Sequence, residues 1–227
     1  MDPERQQWPC DVYCLQETQL NVASVAAEVY RLTCRVDFDV PGFCLLDLGH
    51  ELESGAFRRL MVDLKREMAL IHQSKTGNTL IYLSASRFDQ QQTTRPHLDG
   101  GPEECLLMLG YEPSAIDAEI TIFDYAKCAF DLNLSPDDFM GRYNPMFKPG
   151  NDILQPYATR LGCFSRDDYQ IVCVNNSSAP YSPSRTAWQG TLHTATIRAP
   201  DRSSSRIVNS TMIAPAPAGT PDKADHR

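Results

Sequence analysis

Residues with ligand and acid–base chemistry concentrate in one short stretch of this 227-residue chain, Arg95, His97, Asp99, Gly100 and Gly101, and recur far downstream at His193 and Arg206. In an extended strand, residues i and i+2 point to the same face, so His97 and Asp99 share a side while Leu98 turns away. Two imidazoles and a carboxylate can grip one cation from one side and leave its other coordination positions open. Of the five histidines, His226 lies in a tail, and His50 and His72 fall in a region that reads as helical. Only His193 sits in a clear strand pattern.

That pattern runs from Trp188 to Ile197, with His193, Ala195 and Ile197 on one side and Leu192, Thr194 and Thr196 on the other. A turn rich in Pro, Asp and Ser covers 199–205, and a second strand is expected from Arg206 to Ala214, with Arg206, Val208 and Ser210 on one face. An Arg at the mouth of that strand can reach the same cavity and clasp a carboxylate with its planar fork. Arg202 is its rival, but lies in the turn.

The order His97-x-Asp99, His193, Arg206 resembles that of the iron(II) and 2-oxoglutarate-dependent oxygenases, over roughly residues 80–214. The resemblance implies a double-stranded β-helix, the jelly-roll or cupin-like barrel, with the metal near one mouth. It implies His97, Asp99 and His193 as iron ligands, Arg206 as the anchor for 2-oxoglutarate, and O2 as co-substrate. Many members carry Ser two residues after the Arg, where this chain has Val208; Ser210 is the expected substitute. The implied activity is a dioxygenase that hydroxylates an unactivated carbon of a small metabolite, such as a free amino acid or a natural-product intermediate. Arg95, on the face of His97 and Asp99 if the strand is regular, is the expected partner of a substrate carboxylate.

Two other readings use the same residues. A metal-dependent cupin-like isomerase or oxygenase would keep the triad without needing Arg206. A noncatalytic barrel would use His97 and Asp99 as turn residues, Asp99 capping a backbone group.

The elements that must position these residues are legible around them. Helices are expected over Leu20 to Cys34 and Glu51 to Gln73, from apolar residues at helical spacing, with a short strand over Gly42 to Leu48 between them. Strands then dominate from Thr79: Leu106 to Leu109, Tyr157 to Phe164 and Tyr169 to Val174. Ser135 and Pro136 mark a helix start, as cap and first-turn residue. The segment 119–132 mixes strand-like Ile120, Ile122 and Phe123 with a helical continuation. Helices first and strands after describe an α+β domain in which helices brace one face of a barrel. The expected organisation is an irregular terminus over 1–18, one domain over 19–214 (helical support about 20–75, barrel about 79–214), and a disordered Pro-rich tail over 215–227.

Composition sets limits on partners. Net charge is −8 and the pI about 5.1, which argues against nucleic acid, whose phosphates need a basic stripe. The longest apolar runs fall short of the roughly 18 residues that span a bilayer, and the first residues lack the features of a secretory signal, so a cytoplasmic protein is expected. The eight cysteines are scattered without a CxxC pair, and buried free thiols are the expected state. The sequence leaves the oligomeric state open.

Overall fold

A computed structural model describes residues 8–16, 21–147, 151–184, 186–198 and 203–222. After a short helix α1 (Cys10–Tyr13) and strand β1 (Cys14–Gln16), the chain forms α2 (Val22–Thr33), β2 (Phe43–Asp47), α3 (Ser54–Thr76) and β3 (Asn78–Asp89). Next come β4 (Leu106–Tyr111), β5 (Ala118–Phe123), α4 (Tyr125–Asp131), α5 (Pro136–Tyr143) and α6 (Asn151–Leu154), followed by a single 3-10 turn. Strands β6 (Ala158–Arg160), β7 (Gln170–Asn175), β8 (Leu192–Ile197) and β9 (Ile207–Pro217) complete the fold. A six-stranded sheet has the order β1-β2-β7-β4-β9-β3, and a three-stranded sheet the order β6-β5-β8. All pairings are antiparallel except β1 with β2.

Alternation within the strands builds two apolar layers. Cys44, Leu46, Leu106, Met108, Ile171 and Cys173 turn to one face of the larger sheet, where Val25, Val29, Phe57, Leu64 and Met68 of α2 and α3 cover them. Leu45, Leu107, Leu109, Val172 and Val174 turn to the other face and meet Ile120, Ile122 and Ala195 of the smaller sheet. Because both faces of β4 and β7 are buried, the middle of each strand is a continuous apolar run, with the polar Gln170 and Asn175 only at the two ends of β7. The ambiguous stretch 119–132 resolves into both elements: β5 ends at Phe123, and Asp124 caps α4 by accepting from Lys127 N at 3.1 Å. Ser135 accepts from Asp138 N at 3.1 Å and Pro136 opens α5, as its sequence requires. Gly77, at φ +79°, closes α3 in the left-handed conformation that favours glycine.

The sequence expectations need correction at three places. The described residues form two separate sheets instead of a closed barrel. At the corners, backbone groups are bound by side chains in place of a ladder: Arg206 N donates to Asp89 Oδ1 at 2.8 Å, and Asp99 N to Asn176 Oδ1 at 2.9 Å. The terminus expected to be irregular contains α1 and β1, because the buried ring of Tyr13 packs on Phe43, 5.3 Å between centroids. The tail expected to be disordered begins as strand: β9 runs to Pro217, with Pro215 opposite Leu80 and Pro217 opposite Asn78. Beyond Ile213 the strand β4 no longer flanks it, so the missing proline N–H groups cost no ladder bond on that side. Asp222 continues the attachment, accepting from Tyr82 N at 2.9 Å and pairing with Lys65. Residues 223–227 lie outside the described residues.

One ion pair ties the layers together. The buried Arg35 guanidinium holds both carboxylate oxygens of Asp124, at 2.8 and 2.5 Å, and also donates to the carbonyls of Val40 and Gln189, each at 2.9 Å. It therefore joins the α2–β2 connection, the start of α4 and the approach to β8. Asp124→Asn keeps a capping group for α4 but leaves Arg35 buried without an opposite charge. Such a loss costs about 3–5 kcal/mol, so a urea titration is expected to show a correspondingly lower midpoint; a change below about 1 kcal/mol would reduce the pair to an ordinary neutral hydrogen bond.

Candidate metal centre

The centre of the site is a backbone contact. His97 N donates to His193 O and His193 N donates to His97 O, both at 3.2 Å. Residues that exchange both bonds across an antiparallel pair project their side chains to the same face. The two imidazoles accordingly lie 4.4 Å apart between ring centroids. Thr93 and Thr94 extend the attachment: Thr94 N donates to Ala195 O at 2.9 Å, while the hydroxyls of Thr94 and Thr93 accept from Ala195 N and Ile197 N at 3.0 and 2.9 Å. The segment 93–97 thus lines the free edge of β8, partly through side chains. Asp99 follows, and one ligand atom each from His97, Asp99 and His193 fall within 4.8 Å of one another.

Two of the three donors are held by a neighbour. His97 Nδ1 lies 2.7 Å from Arg95 O; a carbonyl only accepts, so Nδ1 carries a proton and Nε2, 3.3 Å from Asp99 Oδ1, is the nitrogen that an ion would take. Asn176 brackets Asp99 on both sides, its Oδ1 accepting from Asp99 N and its Nδ2 donating to Asp99 O, each at 2.9 Å. Leu98 turns away into the apolar cluster around α4, as alternation requires.

The electrostatics suit a cation. Burial alone would lower the His97 pKa, but its contacts with Asp99, Arg95 O and His193 O outweigh that and raise it. The His97 imidazole holds the Asp99 carboxyl below its usual range against the opposing effect of burial. Burial, reinforced by the neighbouring His97, pushes His193 down to about 4, so at neutral pH it is an uncharged donor. Its Nδ1 is buried with no hydrogen-bond partner, the kind of orphaned polar atom that a metal site accounts for. An uncharged imidazole, a second imidazole with a fixed tautomer and an ionised carboxylate are the donor set that a first-row divalent ion accepts.

The triad opens onto a cavity of about 660 Å³, whose walls include Leu107, Leu109, Tyr111, Ala195, Val208 and Met212 with Asp89 and Gln90. Ser210 lines it too. Behind this wall lies Arg206, 2% exposed, its guanidinium 4.7 Å from the Tyr111 ring centroid and bonded through Nη1 to Gln90 Oε1. Its Nη2 is buried without a partner, and no carboxylate among the described residues pairs with the group. The rival Arg202 lies outside the described residues.

Arg95 is placed differently from its sequence expectation. Its side chain is exposed, donates to Met146 O at 3.2 Å, and is absent from the cavity wall. The cause is one extra residue in the segment: His97 pairs with His193, but Thr94 and not Arg95 bonds to Ala195 O, so the i, i+2 rule fails between 95 and 97. Asn176 is the residue that sequence reasoning missed. The amide-rich run Asn175, Asn176, Ser177 and Ser178 was its signal, without spacing to single it out.

Comparison with protein-family models and with curated proteins yields no match. Among solved structures, the chain is similar to the crystal structure of the non-heme alpha-ketoglutarate-dependent epimerase SnoN from nogalamycin biosynthesis, with 13% identity and a TM-score of 0.44, covering 85% of this chain and 82% of that one. A likeness of that degree assigns no residue a role. No described helix is long and apolar enough to cross a membrane.

Removing the Asn176 amide leaves Asp99 free to rotate away from the two imidazoles. Asn176→Ala is expected to weaken manganese(II) binding, measured by calorimetric titration, by about 10–100-fold, the usual effect of losing an outer support of a ligand; unchanged affinity would show that Asp99 is held by other means or does not ligate.

Proposed function

We propose that this chain is a non-haem iron(II) and 2-oxoglutarate-dependent dioxygenase that hydroxylates an unactivated carbon of a small metabolite. The observation that carries the reading is that one cavity has the three donors on its wall and, behind Tyr111 and Gln90 of that wall, a buried guanidinium with no carboxylate partner among the described residues. The fold supports it. With segment 93–97 counted beside β8, two four-stranded antiparallel arrays face each other, β3-β9-β4-β7 and 93–97-β8-β5-β6, the eight strands of a double-sheet jelly roll.

His97, Asp99 and His193 would hold the ion from one side, leaving positions open toward the cavity. Iron(II) with 2-oxoglutarate and O2 supplies, when bound, an oxidant able to attack an unactivated C–H bond. Arg206 is always charged, and burial disfavours that charge, so a carboxylate seated against it relieves a cost the protein alone does not offset. Ser210, on β9 just after Arg206 and on the cavity wall, would offer a hydroxyl to the same end of the ligand. Leu107, Leu109, Val208 and Met212 keep that wall apolar, which strengthens the guanidinium–carboxylate contact. The cavity volume is of the size that holds small organic ligands, which favours a free metabolite over a macromolecule as substrate.

The test is direct. Purified apoprotein given iron(II) and 2-oxoglutarate without oxygen is expected to show the weak visible charge-transfer band of the chelated complex, and with oxygen to release succinate. Iron binding without that band would favour the cupin-like alternative. Asp99→Ala is expected to abolish both band and succinate release while the circular dichroism spectrum stays native; retained turnover would remove Asp99 from the ligand set. Arg206→Ala is expected to raise the 2-oxoglutarate concentration needed by about 10-fold or more, since hydrogen bonds to charged groups contribute about 1.5–3 kcal/mol; an unchanged requirement would place the co-substrate anchor elsewhere.

A further inference from the structure

The eight cysteines are all free, but they are not all isolated. Cys10, Cys14 and Cys163, up to 153 positions apart in sequence, place their three sulfur atoms within 4.8 Å of one another. The sequence expectation of separate buried thiols is therefore corrected for these three: Cys10 is exposed, and Cys14 and Cys163 are half-buried.

The trio is built by the surrounding structure. Cys10 and Cys14 stand one helical turn apart, with Cys14 N donating to Cys10 O at the end of α1, so both side chains leave the same side. Tyr13, buried between them in sequence, donates from its hydroxyl to Arg160 O at 3.4 Å and accepts from Gly162 N at 3.1 Å. That fixes α1 against the turn that follows β6. Gln170, fully buried, holds the far side of the turn, donating to Cys163 O at 3.1 Å and accepting from Ser165 N at 2.8 Å. Two buried side chains thus fasten the turn that carries Cys163 beside the helix that carries Cys10.

We propose that Cys10, Cys14 and Cys163 form a second metal site, a sulfur-only one, for a thiophilic d10 cation such as zinc(II) or copper(I). Thiolates select such ions over hard ones. With metal–sulfur bonds of about 2.3 Å, three sulfurs around one tetrahedral ion lie about 3.8 Å apart, a contraction that small side-chain rotations supply. A water can complete zinc coordination on the exposed side of Cys10. The crowding raises the Cys163 pKa, first through the Cys14 thiol and then through burial, and burial raises that of Cys10. Each ion that binds therefore releases thiol protons to solvent, and its affinity rises with pH. The site would join β1 of the larger sheet to the exit of β6 in the smaller one. It is independent of the His97, Asp99 and His193 centre.

The full chain, reduced and free of metal, is titrated with cadmium(II) as probe. The expected result is near-ultraviolet thiolate-to-cadmium absorption that saturates at one ion per chain, persists in His97→Ala, and is lost in Cys10→Ser and in Cys163→Ser. Absence of the absorption, or its persistence in both serine variants, overturns the proposal, because the sulfurs would then come from the other cysteines or from none. Cys10 is exposed, so Cys10→Ser tests the site even if Cys163→Ser fails to fold. As a second readout, zinc(II) is expected to raise the thermal midpoint of His97→Ala but not that of His97→Ala combined with Cys10→Ser; equal shifts in the two would also overturn it.

Discussion

The reciprocal backbone pair between His97 and His193 is the constraint on which the site depends. Imidazole orientation, cavity placement and the approach of Asp99 all follow from two residues 96 positions apart meeting in one antiparallel register. A slip of one residue would turn His193 to the opposite face of β8 and leave His97 facing a threonine. Register is guarded on both edges of β8. On one side it is paired along its length with β5, His193 opposite Ile122, and on the other Thr93 and Thr94 accept from Ile197 N and Ala195 N. The pairing with β5 is in turn fixed by burial of Ile120 and Ile122 against the larger sheet. Core packing thus sets the geometry of the candidate ligands at one remove.

Much of this was legible in the sequence because it rests on local periodicity. Alternation in the His193 strand placed its side chain correctly, and so did the alternation that turned Leu98 away from His97 and Asp99. The spacing of Phe57, Leu64 and Met68 defined the face of α3, and Ser135 with Pro136 defined the start of α5. What failed was what periodicity cannot carry. Arg95 left the shared face because the segment carries one extra residue against β8, His97 pairing with His193 while Thr94 bonds to Ala195. The proline tail joined β9 because its register lay beyond the end of β4, a fact about neighbours and not about prolines. Arg35 with Asp124, Asn176 with Asp99, and the cysteine trio are contacts between segments 77 to 153 residues apart, for which no local signal exists.

Arg206 shows how a buried charge can be tolerated without a carboxylate partner among the described residues. Its guanidinium lies near two aromatic rings, 4.7 Å from the Tyr111 centroid and 6.0 Å from that of Phe164, which are themselves packed edge to face. The ring faces offer partial negative charge, and Gln90 supplies one neutral acceptor. Neither matches a carboxylate, so the residue keeps a strong preference for an anion. A carboxylate supplied by the protein would have removed that preference; Asp89, close in sequence to Gln90, is instead engaged with the backbone N–H of Arg206 and with Gln91. That acid is thereby committed to holding the chain, and the guanidinium is left with donor capacity to spare.

Support for Asp99 comes from a crossing that tolerates almost no added volume. The loop after β7 passes so close to the approach to β8 that a Cβ on Gly190 would lie 1.9 Å from Ser177 O. That carbonyl also accepts from the buried Tyr125 hydroxyl at 2.7 Å, and Thr191 N bonds to Asn175 O at 2.8 Å. Asn176 sits between these fixed points, and its amide in turn fixes Asp99. The ligands are thus held from the β7, β8 and α4 side, where every contact is backbone or buried. The opposite wall of the cavity consists of side chains from β3 and the segment after it, Ser84, Ser86, Phe88, Gln91 and Gln92, most of which are exposed and make no contact with the triad's supports. Changes on that wall can alter what the cavity admits without moving His97, Asp99 or His193, so the candidate ligand set and the shape of the cavity mouth are carried by different parts of the fold.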